Sequence, residues 1–95
     1  MYKRQVDKCL KEVVEKLDSI EGRAIIVGDH GNAEEMLNPD GSPKTAHTLN
    51  PVPCILFGSA KEKLRNGHLY NVAPTILKLM RIKKPEEMTA KSLLE

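Results

Sequence analysis

The sequence predicts an α/β fold, the carboxyl-terminal part of a domain built on a mostly parallel sheet flanked by helices. Three observations predict it. An amphipathic helical stripe runs from Val6 to Leu17. A wholly apolar run, Ala24-Ile25-Ile26-Val27, follows and is closed by Gly28. A second apolar run, Pro51 to Gly58, then precedes another amphipathic helix. Helix followed by buried strand is half of a βαβ unit.

Met1-Tyr2-Lys3-Arg4-Gln5 resembles a translated sequencing-adapter end, since GTG TAT AAG AGA CAG with GTG as start encodes it. These residues are therefore set aside as a non-native lead, and residues 6–95 are read as the domain portion. The plainer alternative is a polar lead-in to a helix. Val6, Cys9, Leu10, Val13, Val14 and Leu17 recur at steps of three and four, with Asp, Lys and Glu opposite, which predicts an amphipathic helix. Glu12 and Lys16 offer an i,i+4 pair, and Gly22 a stop. Ala24 to Val27 is apolar at every position and so reads as a strand buried on both faces, as parallel strands are.

Asn38-Pro39-Asp40-Gly41-Ser42-Pro43 opens a turn-rich excursion over residues 38–51. A second strand lies within Pro51 to Gly58, its prolines at the start, where a missing N–H is tolerable. Asn71 is placed to cap a helix from Val72 to about Met80, with Pro74 in its first turn and Lys78 and Arg81 near its end. Ala73, Ile76, Leu77 and Met80 form its apolar face. Residues 85–89 read as a loop and 91–95 as a short tail. Two strands are too few for an independent sheet, so the domain is expected to be incomplete here.

Composition narrows the function. At 95 residues the chain holds one domain at most. A net charge of +2 is too small to argue for nucleic acid or a membrane surface as partner. Almost no aromatics interleave with the basic residues, so base stacking is not suggested. Cys9 and Cys54 read as buried small hydrophobes rather than a disulfide or metal pair, which fits a reducing cytoplasm. No apolar run approaches the roughly 18 residues of a membrane span, and no signal peptide opens the chain.

The chemistry sits in two islands. Asp29-His30-Gly31-Asn32-Ala33-Glu34 follows the first strand directly, at the carboxyl end where open α/β folds place their sites. Thr45-Ala46-His47-Thr48-Leu49-Asn50-Pro51-Val52-Pro53 leads into the second. Asp29, His30 and His47 offer one oxygen and two nitrogens to divalent metal. Taken alone, Asp29 could as well cap a helix, and His30 and His47 could be loop histidines. Gly31 allows a close backbone approach, and the threonines beside His47 could orient its ring or meet phosphate oxygens. Glu34 reads equally as a rim carboxylate or a solvated loop acid. Lys44 and Arg65 read as surface charges, and His68 as an ordinary loop residue. Three ligands do not complete a two-metal hydrolytic site. Ser19, Ser42, Ser59 and Ser92 all lie in turn-like or terminal settings, so no catalytic serine is expected in this chain.

These strings carry a resemblance. Asp29-His30-Gly31-Asn32-Ala33-Glu34 resembles the late metal motif of the cofactor-independent (2,3-bisphosphoglycerate-independent) phosphoglycerate mutases, members of the alkaline phosphatase superfamily. The Thr45 to Pro53 string resembles their next motif, and the similarity continues through Leu64-Arg65-Asn66-Gly67, Val72-Ala73-Pro74-Thr75-Ile76-Leu77 and Glu87-Met88-Thr89-Ala90-Lys91-Ser92-Leu93. Gly28, Asn71 and Ala90 depart from the family's usual Ala, Asp and Gly, with consequences expected only for packing or capping. The resemblance implies an alkaline-phosphatase-like domain in a glycolytic isomerase. That enzyme interconverts 3-phosphoglycerate and 2-phosphoglycerate through a phosphoserine, using two divalent metal ions, commonly Mn2+. Carried over by position, Asp29 and His30 bind the metal that activates the serine, and His47 binds the metal that meets the substrate phosphate. The serine, the remaining ligands and the substrate-binding arginines are expected upstream, so the 95 residues alone are expected to be inactive. The parent is expected to be a cytoplasmic monomer. Two other readings stay open: a standalone metal- or phosphate-binding module, and a fragment of another phosphomutase or phosphatase of the superfamily.

Overall fold

The computed structural model describes residues 2–58 and 62–95. Met1 and Ser59, which both carry sequence expectations, lie outside the described residues. The elements are α1 (Lys3–Ser19), β1 (Ala24–Val27), β2 (Cys54–Phe57), a single 3-10 turn (Leu69–Asn71) and α2 (Val72–Leu79). The chain divides into two compact units, Met1–Ile25 with Leu56–Glu95, and Ile26–Ile55.

In the first unit, α1 forms where the stripe predicts it and carries an i,i+4 pair, Lys11–Glu15, at 3.8 Å. It starts without a side-chain cap and has no acidic residue in its first turn. It buries none of its residues. Val6 and Val13 are 65% and 56% exposed, and Cys9 is exposed rather than the buried hydrophobe expected. Periodicity tells which face of a helix is apolar, not what covers it.

Both helices end in the same way. Glu21 and Arg81 adopt left-handed φ of 54° and 57°. The next residue reaches back five positions, Gly22 N–H to Leu17 O at 2.7 Å and Ile82 N–H to Leu77 O at 2.9 Å. The left-handed residues bond Asp18 O and Lys78 O. This is the Schellman arrangement, usually built on glycine. The Gly22 stop therefore acts one residue later than a C′ glycine, with Glu21 taking the left-handed position.

α2 occupies the predicted segment, but Asn71 does not cap it through its side chain. The 3-10 turn precedes the helix instead. Asn71 Oδ1 accepts the His68 N–H at 2.9 Å, and its Nδ2 donates to Lys91 O at 2.8 Å. That second bond begins a clamp on the last residues, which are no loose tail. Leu93 and Leu94 are 7% and 8% exposed. Thr75, fully buried, donates its hydroxyl to Asn71 O at 2.7 Å and accepts the Leu93 N–H at 2.8 Å. Arg65 N–H bonds Leu93 O, its guanidinium bonds Ser92 O, and Leu64 and Leu94 bridge antiparallel. Gly67 lies so close to the Leu93 methyl and Asn71 Oδ1 that a Cβ there would force both to shift. Arg65 is thus a fastener of the chain end, not a free surface charge.

β1 and β2 form a two-stranded sheet. Gly28, just past β1, lies against Val52, just before β2, while Gly22, just before β1, lies against Gly58, just past β2. The strands therefore run antiparallel. The mostly parallel sheet expected from the sequence is not what these two strands form. The chain after β1 doubles back through the antiparallel Gly31–Thr48 bridge, and β2 returns along β1 as the second arm of a hairpin. Nor is β1 buried on both faces: Ala24, Ile25 and Ile26 are half-buried and Val27 is 37% exposed. The turn-rich excursion is ordered. Leu37 and Pro43 bridge, Asn38 N–H bonds Ser42 O at 2.8 Å, and Asp40 accepts both the hydroxyl and N–H of Ser42. The Ser42 hydroxyl first, and then its N–H, hold the Asp40 carboxyl below its ordinary range.

Candidate functional site

The second unit carries both islands and is held mainly by polar contacts. The Thr48 N–H donates to Gly31 O at 2.8 Å, joining the segment after β1 to the segment before β2. Gly31 is buried, and a Cβ there would overlap the Thr48 hydroxyl and come within 2.6 Å of the Glu34 carboxylate, so both side chains would have to shift. The sequence marked Gly31 for a close approach, and Thr48 with Glu34 is what approaches it.

That bridge brings the sequence-predicted ligands together. The rings of His30 and His47 stack with centroids 3.4 Å apart and planes 16° from parallel. His30 Nδ1 lies 3.0 Å from Gly31 O. A carbonyl only accepts, so Nδ1 is the donor in that contact and Nε2 is the ring nitrogen turned away from it. His30 Nε2 faces Asp29 Oδ1 at 3.6 Å. Two donors on one tetrahedral ion at ordinary bond lengths lie roughly 3.4 Å apart, so Asp29 and His30 are spaced to share an ion. His47 cannot join them on it. Imidazole lone pairs lie in the ring plane, and planes tilted by only 16° meet far beyond bonding distance. Among the described residues, no three His, Cys, Asp or Glu side chains converge as a closed site. The donors thus fit divalent metal in kind and spacing, while the set is partial.

The residues that build this arrangement were only partly visible in the sequence. Glu34 is the hub. One carboxylate oxygen accepts the Thr48 hydroxyl at 2.6 Å and the Asn50 carboxamide at 3.2 Å. The other accepts the Asn32 N–H at 2.5 Å. The Thr48 hydroxyl above all, with help from Asn50 and Asn32, lowers the Glu34 pKa from 4.5 to about 2. Asn50 also donates to Glu35 at 2.6 Å, and Lys44 meets Glu35 at 3.0 Å. Thr48 is therefore committed to Glu34 and does not orient the His47 ring through its hydroxyl. Lys44 is a partly buried ion-pair partner, not a solvated charge. His68 stacks on Tyr70 with centroids 4.8 Å apart, in the other unit, and has no share in the site.

The metalloenzyme superfamily model matches residues 4–84. A Methanosarcina barkeri protein named 2,3-bisphosphoglycerate-independent phosphoglycerate mutase 2 is 59% identical over 91 residues, covering 94% of this chain and 17% of that protein. A Methanosarcina acetivorans protein named 2,3-bisphosphoglycerate-independent phosphoglycerate mutase 1 is 55% identical, covering 94% and 18%. The Bacteroides thetaiotaomicron 2,3-bisphosphoglycerate-independent phosphoglycerate mutase is 47% identical, covering 95% and 18%. The chain spans less than a fifth of the length of each of these relatives. With its paired imidazoles and a family match over most of its length, this chain belongs to the metalloenzyme superfamily.

Proposed function

We propose that residues 6–95 are the carboxyl-terminal portion of the metal-binding, alkaline-phosphatase-like domain of a phosphoglycerate mutase, behind a non-native lead at residues 1–5. The parent interconverts 3-phosphoglycerate and 2-phosphoglycerate in the cytoplasm, as a monomer, with two divalent ions, Mn2+ first among the candidates. Its mostly parallel sheet and its serine come from the upstream part of the parent. The observation that carries the reading is the face-to-face placement of His30 and His47 at 3.4 Å on a chain 59% identical to a protein of that name.

Each residue has a part in this reading. Asp29 and His30 hold one ion, with the Gly31 carbonyl fixing the His30 tautomer. His47 holds the second. Bound ions would neutralise charge on a phosphoryl group and lower the pKa of a hydroxyl nucleophile. The chain's own contribution is to set the ligand spacing, through the Gly31–Thr48 bridge and the carboxylate of Glu34. Among the described residues no helix is long and apolar enough to cross a membrane.

The test is a graft. Residues 6–95 replace the matching segment of the Methanosarcina barkeri protein, and conversion of 3-phosphoglycerate to 2-phosphoglycerate is followed with Mn2+ supplied. The graft is expected to be active, and His30→Ala or His47→Ala to abolish activity and weaken Mn2+ binding. A folded graft that binds Mn2+ but leaves 3-phosphoglycerate unchanged would overturn the proposal. Tight Mn2+ binding by the isolated 95-residue chain, lost in His30→Ala, would favour the standalone module instead.

A further inference from the structure

We infer that Glu34 is a positioning residue, a latch whose carboxylate ties the loop bearing His47 to the loop bearing Asp29 and His30 and so sets the spacing of the two imidazoles. The inference rests on the metal reading above for its functional meaning, but its geometry stands alone. Glu34 lies four positions after His30, and its partners Thr48 and Asn50 lie one and three positions after His47. One side chain therefore grips both ligand-bearing segments. The third bond, from the Asn32 N–H, fixes the carboxylate on its own loop.

Three features separate a latch from an incidental loop contact. The donors are a hydroxyl, a carboxamide and a peptide N–H, all directional, so they fix orientation as well as proximity. Thr48 is only 8% exposed, and its hydroxyl is turned onto the Glu34 carboxylate at 2.6 Å. Gly31 leaves no Cβ in the way, which lets Thr48 and Glu34 meet directly over the backbone next to His30. Asn50 extends the grip to Glu35, which Lys44 pairs in turn. Glu34 acts on the imidazoles through Thr48, Asn50 and Asn32.

The experiment has two arms, with Thr48→Ser as the conservative variant that keeps the hydroxyl. In the full 95-residue chain, histidine ring protons are followed by NMR above the imidazole titration range. Upfield shifts from the stacked rings are expected in the unaltered chain and in Thr48→Ser. They are expected to vanish in Thr48→Val and Glu34→Ala, while the Leu93 methyl signals of the other unit stay in place and show that the fold persists. Stacked rings in both variants would overturn the latch. In the grafted enzyme, Glu34→Ala and Thr48→Val are expected to raise the Mn2+ dissociation constant by about 10- to 100-fold, as loss of a ligand-orienting partner does. Thr48→Ser is expected to remain near the unaltered value and KM for 3-phosphoglycerate to change little. Unchanged Mn2+ affinity in both variants would also overturn the latch. Mn2+ affinity indifferent to His47→Ala would overturn the metal reading alone, with the NMR arm still deciding the latch.

Discussion

Thr75→Val replaces a hydroxyl by a methyl at nearly constant volume, at the one position among the described residues where a large side chain is fully buried. The Thr75 oxygen is the acceptor for the Leu93 N–H at 2.8 Å and the donor to Asn71 O at 2.7 Å. Leu93 is 7% exposed, so its N–H gains no water when the acceptor goes. An unsatisfied buried donor costs about 1–3 kcal/mol. The Asn71 carbonyl loses less, since it stands at the start of α2, where the helix's own N–H groups reach it. For a domain of this size each kcal/mol moves the thermal midpoint by roughly 4–8 °C, so a fall of about 5–20 °C is expected. The assay is thermal unfolding by circular dichroism of the unaltered chain, Thr75→Val and Thr75→Ser, with amide exchange at Leu93 alongside. Thr75→Ser should stay close to the unaltered midpoint, and exchange at Leu93 should accelerate only in Thr75→Val. A midpoint unmoved by Thr75→Val, or lowered equally by Thr75→Ser, would refute the reasoning, the second because it would place the energy in the methyl group.

Other perturbations follow from the same contacts. Arg81→Gly and Glu21→Gly each relieve a left-handed residue at a helix end and should raise stability by about 1 kcal/mol, read as a shifted urea midpoint at constant slope. Gly31→Ala should cost about 1–3 kcal/mol by overpacking against Thr48 and Glu34, and should separate the histidine rings in the NMR spectrum. The depressed Glu34 pKa gives a pH dependence of known sign. Its folded value of about 2 lies below the ordinary 4.5, so its contribution is fully present above the ordinary carboxylate range and is lost as pH falls toward 2. Asp40 acts in the same direction. Glu34→Gln should flatten part of this acid loss, measured as denaturant midpoints across that range.

How much of this was legible in the sequence depends on what carried the signal. α1 and α2 were legible because the 3.6-residue period needs no knowledge of partners, and the apolar run of β1 because four consecutive apolar residues before a polar island leave few alternatives. Strand direction was not legible. An apolar run reads the same whichever way its neighbour runs, and the turning back at the Gly31–Thr48 bridge is a hydrogen bond between residues 17 positions apart. The end of the chain was misread for a related reason. Lys91 to Glu95 has no periodicity, and its burial comes from side chains of Asn71, Thr75 and Arg65 bonding its backbone, a pattern with no local signature. Asp29, His30 and His47 were legible as ligand types in suggestive strings. That Glu34, Thr48 and Asn50 hold them was not, because a loop acid, a threonine and an asparagine are each ordinary alone.

Thr75 and Thr48 then make a discriminating pair. Each is a buried threonine whose hydroxyl joins segments far apart in the chain, one linking α2 to the chain end, the other linking the two ligand-bearing loops. They differ in what surrounds the bond. Beside Thr75 lie the buried Leu93 and Pro74, so its loss exposes a polar defect among apolar side chains and should be felt by the whole first unit. Around Thr48 lie Glu34, Asn50 and Gly31, a polar setting with water close at hand, so its loss should relax locally. The same Thr→Val change should therefore separate stability from site geometry. At Thr75 it should lower the unfolding midpoint and leave the histidine ring shifts unchanged. At Thr48 it should abolish the ring shifts with a much smaller change in midpoint. Equal loss of both properties at both positions would mean that the two units unfold as one and that the metal loops have no rigidity of their own.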